Sequence, residues 1–414
     1  MIRRIFAISF IFACTALGWI ILAGTMILRT DNQDEKLRTA VGQLWGNKLT
    51  QQAPLAYYKS EGAPRKDKSQ VTLQNLALYA SNIEVDLKLE HRKKGLLWYS
   101  TYRVGFSGKY QIINSLDEPK EISLAFTLPS KEAVYDNFKF VVAGSEIQDM
   151  ELTSGRIIRA VQLSPGDIIE IEISYSSQGM DEWSYDFGSD VNLIRNFSLV
   201  LNTDFEDIDF PDKTISPTNK ENTGNGWKLT WQYSNLLTGI KIGMIMPRKL
   251  NPGPWVSKVT MAAPVSLFLF FFVLFVFTTF KKIKIHPMNY FFVGAAFFSF
   301  HLLLSYLVDH ITIHLAFWIC FLVSIFLVVS YMRLVVGRRF AFIEIALSQL
   351  VYLVFFSYTF FFEGYTGLAI TILCICTLFV IMQFTGNVDW EKIFAKSSEI
   401  TGNNPEEQPS SSNK

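Results

Sequence analysis

The sequence predicts a membrane protein with six transmembrane α-helices, one N-terminal and five C-terminal. Between the first and second it predicts a large extracytoplasmic β-rich domain, sandwich-like in pattern. Three observations carry this. Half of the 414 residues are hydrophobic, 36 are Phe, and only 18% are charged, a composition outside the range of soluble globular domains. Six apolar runs reach the roughly 20 residues needed to cross a hydrocarbon core of about 30 Å as helix, the open-ended structure that satisfies its own backbone there. Between the first two runs the pattern becomes apolar-polar alternation, the mark of strands with one buried face.

Residues 1–30 are the expected N-terminal anchor, with its span at 5–27. Arg3 and Arg4 precede the run, as they would in a secretory signal. GWIILAGTMIL offers no clear small-x-small cleavage site, however, and the run is longer than a signal core of about 7–15 residues. An uncleaved anchor is the favoured reading.

The polar block at 31–257 is long enough for one or two domains with their own core. At its start, DNQDEKLRTAVGQLW spaces Leu37, Val41 and Leu44 as on a helix and predicts a short juxtamembrane helix. GAPRKDKSQ, 62–70, reads as an exposed loop. From about Leu76, IEVDLKL, RVGFSGKYQI, EISLAFTL, FKFVVAG, IIEIEISY, NFSLVLN, WKLTWQY and IKIGMIM alternate at short intervals, with turns such as SPGD at 164–167. Antiparallel strands in a sandwich or open barrel are expected. LNPGPW, 250–255, predicts a stiff extended connection through its two prolines.

A five-helix bundle should then occupy 258–384, with spans at 259–280, 289–308, 311–332, 340–362 and 365–384. Only Asp309 and His310, and only Glu363 and Gly364, separate two neighbouring pairs of spans, which predicts tight hairpins. Lys281, Lys282, Lys284, Arg333, Arg338 and Arg339 lie on the same side as Arg3 and Arg4, while the short loops opposite carry no Lys or Arg. The positive-inside rule therefore puts both termini in the cytoplasm and 31–257 outside. Arg29 and Lys258 border the long domain, where the rule has little force. Residues 385–414 form a cytoplasmic tail ending in the polar, Pro/Ser-rich EITGNNPEEQPSSSNK, a disordered composition.

The same reading narrows the chemistry. With 38 basic against 37 acidic residues, net charge +1, the chain has no excess that would draw it to nucleic acid. Cys14, Cys320, Cys374 and Cys376 all lie in apolar runs, so the polar domain folds without disulfides. Cys374 and Cys376 point in different directions on a helix and cannot chelate together. TDFEDIDFPD, 203–212, gathers Asp204, Glu206, Asp207, Asp209 and Asp212; calcium takes such oxygens, but the EF-hand spacing is missing and a solvated turn is favoured. His310 and His314 follow Asp309 at a spacing that a continuous helix would bring together, yet a turn must fall there. His301 and Glu344 lie inside apolar spans, where ionisable groups are functional candidates; Glu344 can reach the interface and His301 can hydrogen-bond a neighbouring helix. DFG, 186–188, has no other kinase signature around it, and no G-x-S-x-G, H-E-x-x-H or P-loop string occurs. We expect no enzyme activity, no cofactor and no metal.

One string exceeds what topology requires. KKIKIHPMNYFFVG, 281–294, turns the chain between two spans, and Pro287 starts the next helix where its missing N–H costs nothing. Its core, IHPMNYFFVGA at 285–295, resembles the His-Pro-Met-x-Tyr-x-x-Val-Gly string of the CreD family of bacterial inner membrane proteins, associated with cell envelope integrity and colicin tolerance. LVDHITIHLA at 307–316, FEGYTGLAI at 362–370 and FTGNVDWEKIF at 384–394 resemble that family's later motifs in order. LWGNKLTQQAPLAYY at 44–58 is similar to its Trp-Gly segment, with Ala53 where a Gly is usual before Pro54. The middle domain looks shorter than the family's usual one.

The positions matching family motifs are His286, Pro287, Met288, Tyr290, Gly294, Asp309, His310, Asn387, Asp389 and Trp390. The resemblance implies a bacterial inner membrane location with 31–257 periplasmic, and a role in envelope integrity or stress tolerance through contacts with lipids or other envelope proteins. It also suggests that Asn387, Asp389 and Trp390 dock on the IHPMNY turn, for example by pairing Asp389 with Lys282 or His286. The alternative is a transport component with a polar route through the bundle.

Overall fold

The structure, a computed structural model, describes residues 2–61, 71–95, 97–148, 152–188, 192–362 and 364–386. Contacts divide the chain into two compact units, Met1–Asn32 with Asn251–Lys414, and Gln33–Leu250. Each has its own logic of burial.

Six helices are long and apolar enough to cross a membrane: α1 (Ile2–Trp45), α2 (Pro252–Phe280), α3 (Pro287–Leu307), α4 (Ile313–Val336), α5 (Arg338–Phe361) and α6 (Thr366–Thr385). The anchor span at 5–27 and the juxtamembrane helix are one uninterrupted element, α1. Between them LRTDNQDEK contains neither Gly nor Pro, so nothing there interrupts the i to i−4 ladder. The expected stiff connection at 250–255 is also revised: Pro252 and Pro254 fall in the first turn of α2, where an absent N–H is harmless. Gly337 ends α4 at φ 90°, a conformation a Cβ would strain. Two stretches of α5, Ala341–Ile345 and Leu350–Phe355, are π-helical. Among the described residues of α6 only Thr377 and Ile381 are buried.

The second unit contains three sheets. The eight-stranded sheet runs, edge to edge, Asn219–Asn222, Trp227–Thr238, Asn192–Thr203, Leu78–Lys94, Leu97–Ile113, Ile168–Met180, Tyr135–Val142 and Ser145–Glu146. The five-stranded sheet runs Val71–Leu76, Leu55–Glu61, Lys120–Thr127, Arg156–Leu163 and Leu152–Thr153. Leu49–Gln52, Glu182–Asp186 and Ile242–Ile245 make a three-stranded sheet.

Alternation sets the faces: Ile83, Val85 and Leu87 are buried while Glu84, Asp86 and Lys88 are exposed. Inward residues of all three sheets, such as Phe106, Phe126 and Trp183, share one hydrophobic core. The expectation of antiparallel pairing holds for most neighbours but not for all. Asn192–Thr203 lies parallel to Leu78–Lys94, and Leu49–Gln52 parallel to Glu182–Asp186. Long intervening segments allow this, because a parallel pair cannot be joined by a tight turn.

Candidate functional site

The matched positions in the membrane unit converge on α3. His286 is its N-cap, its Nδ1 accepting the Met288 N–H at 3.2 Å. Pro287 starts the first turn, and the exposed Met288 points away from protein. Two side chains then reach neighbours. Asn289 accepts the Tyr331 hydroxyl of α4 at 2.8 Å. Tyr290 is fully buried and its hydroxyl accepts from Arg4 of α1 at 3.4 Å; the same guanidinium donates to Thr278 of α2 at 3.4 Å and lies 5.6 Å from the Phe275 ring centroid. One turn further, Gly294 lets α1 and α2 approach closely. A Cβ there would lie 3.3 Å from Phe271 Cζ and 3.6 Å from Thr15 Cγ2.

The far end of α3 makes a second clamp on the same helix. Arg29 of α1 is ion-paired with Asp309, whose side chain is 18% exposed. Between the clamps Trp19 of α1, fully buried, stands edge-on to Phe298 at 5.4 Å and to His301 at 5.6 Å. Tyr290, Gly294, His301 and Asp309 therefore present one seam that holds α1. The string that carries the resemblance describes helix packing before it describes chemistry.

His310 is exposed in the turn, and His314 stacks on Phe361 at 4.7 Å in the first turn of α4. The helix break between them separates the two rings from a shared ligand geometry. Among the described residues no group of three His, Cys, Asp or Glu could hold a metal ion. Asn387, Asp389 and Trp390 lie outside the described residues, and so does the proposed pairing of Asp389 with Lys282 or His286.

Other polar groups enter the bundle. Glu344 on the first π-helical stretch of α5 is ion-paired with Lys281 at the end of α2. Gln349 donates to Ser324 at 3.0 Å, and Ser324 donates to the Ala296 carbonyl at 3.1 Å, which ties α5 and α4 to α3. Among the described residues, Trp19 Nε1, Thr260 Oγ1, His301 Nε2, Gln349 Oε1 and Ser357 Oγ are buried without a hydrogen-bond partner.

Among the described residues the carboxylates at 203–212 do not come together as a group of three that could hold a metal ion. Asp204 accepts the Leu89 N–H at 2.8 Å, and Asp209 caps the Phe210 N–H at 2.9 Å. Asp186 of DFG is paired with Lys241 at 2.9 Å. A network that sequence reasoning missed lies near the start of this unit: Arg38 is ion-paired with Asp181, and Asp34 accepts the Tyr99 hydroxyl at 3.1 Å. Burial and the neighbouring Asp34 push the Tyr99 phenol well above its ordinary range.

Comparison with known proteins gives one broad match. The family described as "Inner membrane protein CreD" matches residues 1–391. No curated protein matches the chain. A solved structure from Legionella pneumophila, provisionally described as a nutrient binding protein, is 10% identical, covers 52% of this chain and 74% of its own, and superposes with a TM-score of 0.28. At that score it bears on neither fold nor function.

Proposed function

We propose that this chain, which belongs to the CreD family of inner membrane proteins, contributes to cell envelope integrity or envelope stress tolerance without catalysis. Its β-rich unit would act on the periplasmic side, through protein or lipid contacts. The orientation that goes with this reading puts both termini in the cytoplasm. Support comes from Lys281, Lys282 and Lys284 in the connection between α2 and α3, and from Arg333, Arg338 and Arg339 at the helix ends that flank Gly337 between α4 and α5.

The observation that carries the contact reading is the edge of the five-stranded sheet. Strand Val71–Leu76 has a ladder neighbour on one side only among the described residues. Residues 72–75 are exposed, and Leu73 keeps 59% of its surface in solvent. Unpaired N–H and C=O groups on such an edge accept an added strand, with alternate side chains supplying selectivity.

Successive residues direct their N–H groups to opposite edges, so Leu73→Pro and Gln74→Pro separate the two sides. The variant that removes an outward donor should lose envelope tolerance and any co-purified partner while keeping its abundance in the membrane. If neither variant changes tolerance to detergent challenge in cells dependent on this protein, the edge is not the contact surface.

The transport alternative gains something from the partnerless buried groups Thr260, His301 and Gln349, since polar residues within spans mark solute or proton routes. His301→Leu keeps the volume and removes the polarity. A transport role predicts lost solute or proton flux in vesicles with the fold intact; unchanged envelope tolerance in that variant would dismiss it.

A further inference from the structure

Between α2, α5 and α6 the membrane unit leaves a cleft of about 350 Å³. Its α6 wall is a stripe of Leu373, Cys376, Thr377, Val380, Ile381 and Phe384. From Leu373 to Phe384 that stripe rises roughly 16 Å at 1.5 Å per residue, about half of the ~30 Å hydrocarbon core. Within it Tyr352 of α5 and Thr377 of α6 share a 2.8 Å hydrogen bond. One end carries one fixed charge of each sign, the ion pair of Lys281 with Glu344 Oε1. Lys281 is half exposed and lies 5.0 Å from the Phe340 ring centroid. Glu344 Oε2 is buried and has no partner among the described residues.

Of the three polar residues on the α5 wall, Glu344, Ser348 and Tyr352, Glu344 and Tyr352 stand on π-helical stretches, a deviation that recurs at functional sites. The freed backbone is satisfied locally: Ser348 donates to the Glu344 carbonyl at 2.7 Å, and Ser266 donates to that of Tyr352.

We propose that this cleft binds phosphatidylethanolamine, one acyl chain lying along α6, the phosphate on Lys281 and the primary ammonium on the partnerless oxygen of Glu344. The depth matches one leaflet. The paired charges match a zwitterionic headgroup and not a net anion, because Glu344 repels a second negative charge. A primary ammonium donates N–H to Oε2, whereas the quaternary ammonium of phosphatidylcholine has no proton to donate. Basic pockets between spans are established lipid headgroup sites; here the carboxylate supplies the selectivity. This proposal does not depend on what the β-rich unit contacts.

The test is native mass spectrometry of the full-length protein exchanged into equimolar phosphatidylethanolamine, phosphatidylcholine and phosphatidylglycerol. Phosphatidylethanolamine should be retained over phosphatidylcholine by roughly tenfold, the worth of one charge-assisted hydrogen bond. Glu344→Gln should abolish that preference while keeping the melting profile, and Cys376→Trp should expel the lipid by filling the cleft. Equal retention of the three lipids overturns the proposal, as does a preference that survives Glu344→Gln. A dimeric mass that Cys376→Trp converts to monomer would give the cleft to a second copy and also overturn it.

Discussion

Asp309 shows how much a single side chain settles. It stands at the tip between α3 and α4, and the charge it holds, Arg29, belongs to α1. With side chains 39% and 18% exposed, the pair is partly screened, so a double-mutant cycle of Arg29→Met and Asp309→Asn should give a coupling of only about 1 kcal/mol. Additive losses in detergent melting would mean that the two charges act independently. Arg4 is held differently, through Thr278, Tyr290 and the faces of two rings. Topology places Arg29 and Asp309 at the same end of their spans, and the opposite signs were the available clue. Nothing in the sequence pattern linked Arg4 with Tyr290.

At the scale of the element, α3 is the surface on which α1 is seated. Gly294 removes a side chain where Phe271 and Thr15 converge, a use of small residues that lets helices approach in membranes. Gly294→Val should cost roughly 1–3 kcal/mol through overpacking and lower the detergent melting temperature. Gly367→Val, in a place with nothing within 4 Å of the added Cβ, is the control. Equal melting of the two variants would contradict the close approach. In α5 the sequence run of apolar residues predicted a span, but the π-helical stretches that re-aim Glu344 and Tyr352 carry no sequence mark.

For the molecule as a whole, its two units respond to different solvents, and pH separates them. The β-rich unit buries Tyr102, Tyr110, Tyr175 and Tyr185, and burial raises all four phenols above the usual value of 10. Tyr135, partly buried, is raised to about 12, less than burial alone would give because the Ser130 backbone N–H hydrogen-bonds its oxygen. An unfolded chain loses these protons near pH 10 while the folded unit keeps them, so the unfolded state binds fewer protons and stability falls as pH rises. The contribution is whole below pH 10 and should decline from there through pH 12 for Tyr135. Phenolate absorbance should lag behind free tyrosine and then appear together with loss of β-sheet circular dichroism. Gradual ionisation with the sheet signal intact would show that these rings are accessible.

Sequence alone determined the number of spans, the β character of the middle and the family. All three depend on local quantities: the length of an apolar run, a period of two, an unbroken motif. Tertiary structure alone decided that Asn192–Thr203 runs parallel to Leu78–Lys94, and that Arg4, Arg29 and Lys281 find Tyr290, Asp309 and Glu344. Those outcomes compare alternatives distant in the chain, and a partner 63 to 286 residues away leaves no periodicity at either end. The cleft beside α6 has the same origin, since a space is defined by the three helices around it and by no one of them.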